Sequence, residues 1–184
     1  MVSNTADSGG GLYFADFQLA HLERNLILSN TATSGDGGGL MINNGDVRLV
    51  NNVVADNRLT NAPRHGAGLY VYGANLHMLH NTLARNRGGD GSGLYANDPG
   101  MPGTQTSVAM SNSIVTSHTL GIVVTERNTV TLDATHWQAN SGGNWSGTGT
   151  LTHTHDYTGD PAFDVDGYHL TLGSAAIDRG VNAG

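Results

Sequence analysis

The stretches GGGLYF (9–14), GGGLMI (37–42), GAGLYV (66–71) and GSGLYA (91–96) repeat one pattern, a glycine-rich start followed by an apolar strand. LGIVV at 120–124 is a weaker fifth copy. Aligning Leu12, Leu40, Leu69, Leu94 and Ile122 gives steps of 28, 29, 25 and 28 residues. A near-fixed period of this size marks a chain built from stacked units, each too small to bury a core alone.

A second motif follows each of the first: LERNLILSN (22–30), LVNNVVADN (49–57), MLHNTLARN (78–86), AMSNSIVTS (109–117) and LDATHWQAN (132–140). Its form is apolar-x-x-Asn-x-apolar-x-x-Asn. The period of two before the first Asn is that of a strand with one buried face, and Ile27, Val54, Leu83, Ile114 and Trp137 continue that face after a turn. Asn25, Asn52, Asn81 and Asn112 then form one column and Asn30, Asn57, Asn86 and Asn140 another, with Ser117 and Thr135 as the exceptions. A buried amide without partners costs about 1–3 kcal/mol, so inward Asn columns are expected to bond from one unit to the next as ladders. The expected architecture is all-β: a right-handed parallel β-helix with coils of about 25–29 residues, hydrogen-bonded about 4.8 Å apart.

Composition agrees. Of 184 residues 27 are glycine and 12% are charged, which suits short strands joined by turns. The glycines precede strands rather than helices, so they serve tight turns and not phosphate binding. All eight basic residues are arginine and the net charge is −7, which argues against a nucleic-acid partner. There is no cysteine, hence no disulfide or thiolate metal site, and no apolar run long enough for insertion into a membrane as a helix.

The GGGL or GAGL start with its following Asn motif, over residues 9–143, resembles the repeats of polymorphic outer-membrane proteins and related pectate-lyase-like β-helix proteins. DPAFDVDGYHLTLGSAAIDRG (160–180) is similar to the closing segment of bacterial surface-anchored β-helix proteins. The resemblance implies the fold and an extracellular or cell-surface location, reached by a signal outside these residues. The group includes adhesins, scaffolds and polysaccharide-degrading enzymes, so it does not fix an activity. Two segments are expected: coils over 1–143, opening in mid-coil where Val2-Ser3-Asn4 matches Leu28-Ser29-Asn30, and a closing segment over 144–184.

Outward positions are the candidate sites. Tyr13, Met41, Tyr70, Tyr95 and Val123 form one column, on which sugar rings could stack against the tyrosines. A second strip carries His21, Arg48 and His77, flanked by Arg24, Asn51 and His80, and would meet the carboxylates of an acidic polysaccharide. A lyase would draw on Arg24 or Arg48, but neither has clustered Asp beside it. A glycoside hydrolase needs two facing carboxyls about 5–9.5 Å apart, and Glu23 and Asp133 share a column four coils apart. His153-Thr154-His155-Asp156 is half a metal site at most, and Asp160, Asp164 and Asp166 fall short of a calcium loop. No catalytic residue, cofactor or metal is expected. The reading is a non-catalytic structural or adhesive module of a larger protein that joins like units end to end, with polysaccharide or cell-surface glycans as partners. A carbohydrate-active enzyme and a carbohydrate-binding module are the alternatives.

Overall fold

The computed structural model describes residues 1–16 and 18–182, and among them is all-β: nineteen strands and no helix. The strands run parallel in curled sheets. One line contains β2 (Leu12–Ala15), β6 (Leu40–Val50), β9 (Leu69–Leu79), β11 (Ser92–Asn97), β14 (Leu120–Val124) and β17 (Trp145–Gly147). A second contains β3 (Leu19–Glu23), the later halves of β6 and β9, β12 (Ser107–Ser111), β15 (Thr129–Asp133) and β18 (Thr150–Thr154). Because β6 and β9 span both lines, the two make a single ten-stranded sheet.

The third line is a six-stranded sheet of β4 (Leu26–Leu28), β7 (Val53–Ala55), β10 (Thr82–Ala84), β13 (Ile114–Thr116), β16 (His136–Gln138) and β19 (Tyr157–Thr158). Three two-residue strands, β1 (Thr5–Ala6), β5 (Thr31–Ala32) and β8 (Arg58–Leu59), form a small third sheet. Each rung therefore lays its strands beside those of the next, and the register runs Leu12, Leu40, Leu69, Leu94, Ile122, Trp145.

Every second residue faces inward. Ile42, Val71, Ala96 and Val124 fill one column, Val47, Leu76, Val108 and Val130 another, and Leu49, Met78, Met110 and Leu132 a third; with the leucine column they make one continuous core. No single rung buries more than a few of these side chains, so the core exists only through stacking.

The corners are made by single residues with positive φ. Arg24, Asn51, His80, Asn112, Ala134 and His155 stand at one corner with φ of 50–56°, and Ser29, Asp56, Arg85, Ser117 and Ala139 at another with 52–61°. Each would be disfavoured alone. At most of these corners the residue that follows offsets this by accepting the main-chain N–H of the rung before; Thr135 and His118 are the exceptions. Asn25 N–H donates to Asn52 Oδ1 at 2.9 Å and Asn52 N–H to Asn81 Oδ1 at 2.9 Å, while Asn30 and Asn57 N–H donate to Asn57 and Asn86 Oδ1 at 2.9 and 3.0 Å. The amide nitrogens of Asn57 and Asn86 also donate back to the carbonyls of Ile27 and Val54, at 2.8 and 2.9 Å.

This register corrects three positions. The partner of Asn81 is Ser113, whose Oγ accepts its N–H at 3.1 Å, and Asn112 stands one residue earlier at the left-handed corner. Likewise Val115, not Ile114, aligns with Leu83 and Trp137, and His118, not Ser117, aligns with Asn86 and Asn140. The fourth motif begins at Met110 rather than Ala109. Asn112 imitates the ladder residue because asparagine also tolerates positive φ better than most side chains.

Gly39 shows why the motif needs glycine in front of the leucine. A Cβ there would lie 2.7 Å from Asn57 Nδ2 and 2.8 Å from the Gly68 carbonyl, and Gly68 is placed the same way against Asn86. The ladder amides pack directly against this glycine column.

After Thr158 the chain leaves the stack. Residues 160–182 turn back along the outer side of the six-stranded sheet, where Arg85 Nη1 donates to the Gly167 carbonyl at 2.7 Å. The Asn112 side chain bonds the Val181 main chain at both ends, donating to its carbonyl at 2.9 Å and accepting from its N–H at 2.7 Å.

Candidate functional site

The outward face of the second line carries a concavity. His21, Arg48 and His77 lie in register on adjacent strands, all exposed. Beyond them the same column continues as Ala109 and Thr131, and the neighbouring column as Ser111. The drop from Arg and His to Ala and Ser opens a groove of about 380 Å³, lined by Leu19, Asp46, Arg48, His77, Leu79 and Ala109 among others. Asp46 is fixed there by the Asn75 amide, which donates to it at 2.7 Å. The groove thus offers a guanidinium, an imidazole, an anchored carboxylate and an apolar floor, a set suited to a polyhydroxylated ligand.

Arg24 and His80 are not part of this groove. They stand at the left-handed corner and face a separate depression shared with Tyr168 and His169 of the returning tail, and Arg24 is 3.3 Å from Glu23.

The tyrosine column is real in register, Tyr13, Met41, Tyr70, Tyr95, Val123, but not as an open platform. Tyr70 is only 5% exposed and its ring stacks on Tyr95 with centroids 5.8 Å apart and on Tyr72 at 6.1 Å. His65 covers Tyr95 in turn at 4.4 Å. The ring faces a sugar would need are turned into one another, and Asn97 Nδ2 donates to the Tyr70 hydroxyl at 3.0 Å. Burial pushes the Tyr70 phenol up to about 12, and burial with Asp90 and Asp36 nearby raises Tyr95. Tyr13, at 51% exposure, is the tyrosine of the column that presents substantial area to solvent.

Glu23 and Asp133 belong to one outward column, with Val50, Leu79 and Ser111 between them. Four rungs at about 4.8 Å place them roughly 19 Å apart, beyond the separation for paired carboxyl catalysis. Asp133 is engaged by His155 Nδ1 at 2.7 Å, which, with the Thr154 hydroxyl, holds its carboxyl below the usual range. His153 pairs instead with Asp156 at 3.1 Å, so each imidazole has its own carboxylate. Among the described residues no group of three or more side chains is placed to hold a metal ion.

Two residues carry chemistry that spacing alone did not reveal. His118 is buried in the second ladder, where its Nε2 meets Asn86 Nδ2 at 3.1 Å and its N–H donates to Asn140 Oδ1 at 3.1 Å. Burial lowers this imidazole to about 4. Asp156 occupies the first ladder column, accepting from Thr135 N–H at 3.2 Å and Trp137 Nε1 at 2.8 Å. Its place beside His153 and His155 made it a candidate metal-site carboxylate, and its step of 21 residues from Thr135 is shorter than the 25–29 of the earlier coils.

No protein-family model matches the chain, and no match to it is found among curated proteins or solved structures.

Proposed function

We propose that the stacked rungs form a right-handed parallel β-helix, and that this rod is a non-catalytic structural or adhesive module of a larger protein displayed outside the cell. The observation that carries this reading is the in-register parallel pairing sustained through six rungs, with polar columns bonded from rung to rung inside it. Parallel strands joined by crossovers within one sheet are right-handed in about 98% of cases, which supports the hand. The cell-surface location rests on the likeness of residues 160–180 to closing segments of surface-anchored β-helix proteins. Joining of like units end to end is part of the same reading; Trp145 is the last member of the core leucine column yet is 42% exposed.

Electron microscopy of the native full-length protein, with a polysaccharide depolymerisation screen on the same sample, tests this. Rods or filaments without depolymerisation are expected; discrete particles that release unsaturated or reducing sugars would overturn it.

The groove beside Arg48 and His77 favours a second reading, a carbohydrate-binding module, because it combines charged and polar groups with an apolar floor. Arg48→Ala with His77→Ala should then weaken binding to a polysaccharide panel without changing the melting temperature. Unchanged binding would remove the groove from consideration.

A further inference from the structure

The three-stranded sheet has an outer column that continues past its last strand. Thr5 pairs with Thr31, Thr31 with Arg58, and Arg58 with Arg87 through a parallel bridge. The two arginines are register partners on adjacent rungs, so their side chains leave the sheet on the same side, and both are exposed. Their strand positions are fixed by main-chain bonds, Arg58 N–H to the Asn30 carbonyl at 2.8 Å and Arg87 N–H to the Asn57 carbonyl at 2.9 Å.

A third arginine is delivered by a difference in loop length. The third rung carries a long turn through Thr60–His65, whereas the fourth crosses the same place with Gly88 and Gly89. A Cβ on Gly89 would lie 2.4 Å from the Arg64 carbonyl, and one on Gly88 2.0 Å from the Leu59 carbonyl. The Asp90 N–H also donates to the Arg64 carbonyl at 2.8 Å. The glycine pair therefore lets the Arg64 turn lie down on the fourth rung, next to the segment that begins at Arg87. Arg64 is exposed as well.

Arg24, Arg85 and Arg127 each pair with an acid, namely Glu23, Asp56 and Asp98. Among the described residues Arg58, Arg64 and Arg87 have no such partner. Like charges on directly opposed strand positions repel, so this column costs stability in the free protein. The acids nearest to this column are already engaged, Asp7 by the hydroxyls of Thr33 and Ser34 and Asp90 by His65 and Ser92.

We propose that Arg58, Arg64 and Arg87 form a binding site for a linear anionic polysaccharide, one carrying sulfate or carboxylate groups. Guanidinium groups bind both anions through paired N–H donors. Two of them repeat at the rung spacing of about 4.8 Å, close to the length of one sugar residue in an extended pyranose chain. A polysaccharide running along the stack axis thus meets guanidiniums at two successive residues. The site lies on a different sheet from the Arg48 groove and does not depend on ligand binding there.

The test is titration of the chain with heparin, with polygalacturonate, with uncharged dextran and with duplex DNA, each at low and moderate salt. Binding of heparin or polygalacturonate is expected, weakened by salt, with none to dextran. The Arg58→Ala/Arg64→Ala/Arg87→Ala variant should lose about tenfold in affinity, while Arg48→Ala/His77→Ala keeps it. Should the triple variant melt earlier than the parent, Arg58→Ala and Arg87→Ala singly are each expected to show a twofold to threefold loss, at about the strength of one exposed pair. No binding to either anionic polysaccharide, equal binding by the triple variant, or DNA bound as tightly as the polysaccharides would each overturn the proposal. Loss in the groove variant alone would overturn it too, while leaving the groove reading standing.

Discussion

Counting the rung of Thr5 as the first, the third rung (Asn52 and Asn57) and the fifth (Ser113 and His118) occupy equivalent places in the stack and solve the same problem with different side chains. At the third, Asn52 and Asn57 both accept the N–H of the rung before and pass a bond to the next. At the fifth, Ser113 accepts from Asn81, but the hydroxyl of Thr135, the next residue in its column, is buried without a partner among the described residues, and so is His118 Nδ1 in the other column. The corner geometry is the same at both, with φ of 55° at Asn51 and 50° at Asn112. The corner therefore forms with asparagine, with serine, and at Thr135 without a bonded side-chain acceptor; asparagine adds a donated bond that crosses to the rung before, which makes the third rung the stronger of the two.

The largest effect should come from the regular rung. Asn57→Ala removes the acceptor of Asn30 and both bonds of Nδ2, and should cost about 3 kcal/mol or more in chemical denaturation, whereas Ser113→Ala, with one cross-rung bond, should cost about 1 kcal/mol. Equal losses would erase the distinction between the rungs.

Acid should find the irregular rung first. The His118 imidazole has its ordinary pKa of 6.5 when unfolded and about 4 when folded, so between these values the unfolded chain binds more protons and stability falls as pH drops. The full loss is about 3 kcal/mol. His118→Asn, which restores the third rung's residue, should flatten melting temperature against pH between 6.5 and 4; an unchanged slope would place the acid sensitivity elsewhere.

Gly39→Ala should destabilise by about 2 kcal/mol, because the added methyl meets Asn57 and the Gly68 carbonyl. The smallest effects belong to the surface: Tyr13→Ala should stay within about 0.5 kcal/mol, while the buried Tyr70→Ala should approach 3 kcal/mol or more. Matching melts for those two tyrosine variants would show that the Tyr70–Tyr95 stack contributes nothing.

Much of the interior was legible because its spacing is repeated. The leucine column and most of both asparagine columns follow from counting. The fourth motif misled by one residue, since Asn112 satisfies a corner as well as a ladder, and His118 was invisible to a search for asparagine. The surface was less legible. Whether Tyr70 is a platform or part of a stack depends on Tyr72 and His65, which come from a neighbouring strand position and a long turn. The closeness of Arg64 to Arg87 depends on a glycine pair whose meaning appears only once the rungs are stacked.

The central claim is that buried side-chain amides join the rungs, and hydrogen exchange of the asparagine Nδ2 protons reads this directly by NMR. The side-chain amides of Asn57 and Asn86 should exchange as slowly as the protected backbone amides of the core strands, while that of the exposed Asn51 at the corner exchanges fast. Fast exchange at Asn57 and Asn86 in the folded protein would contradict the ladders and the stacked architecture they support.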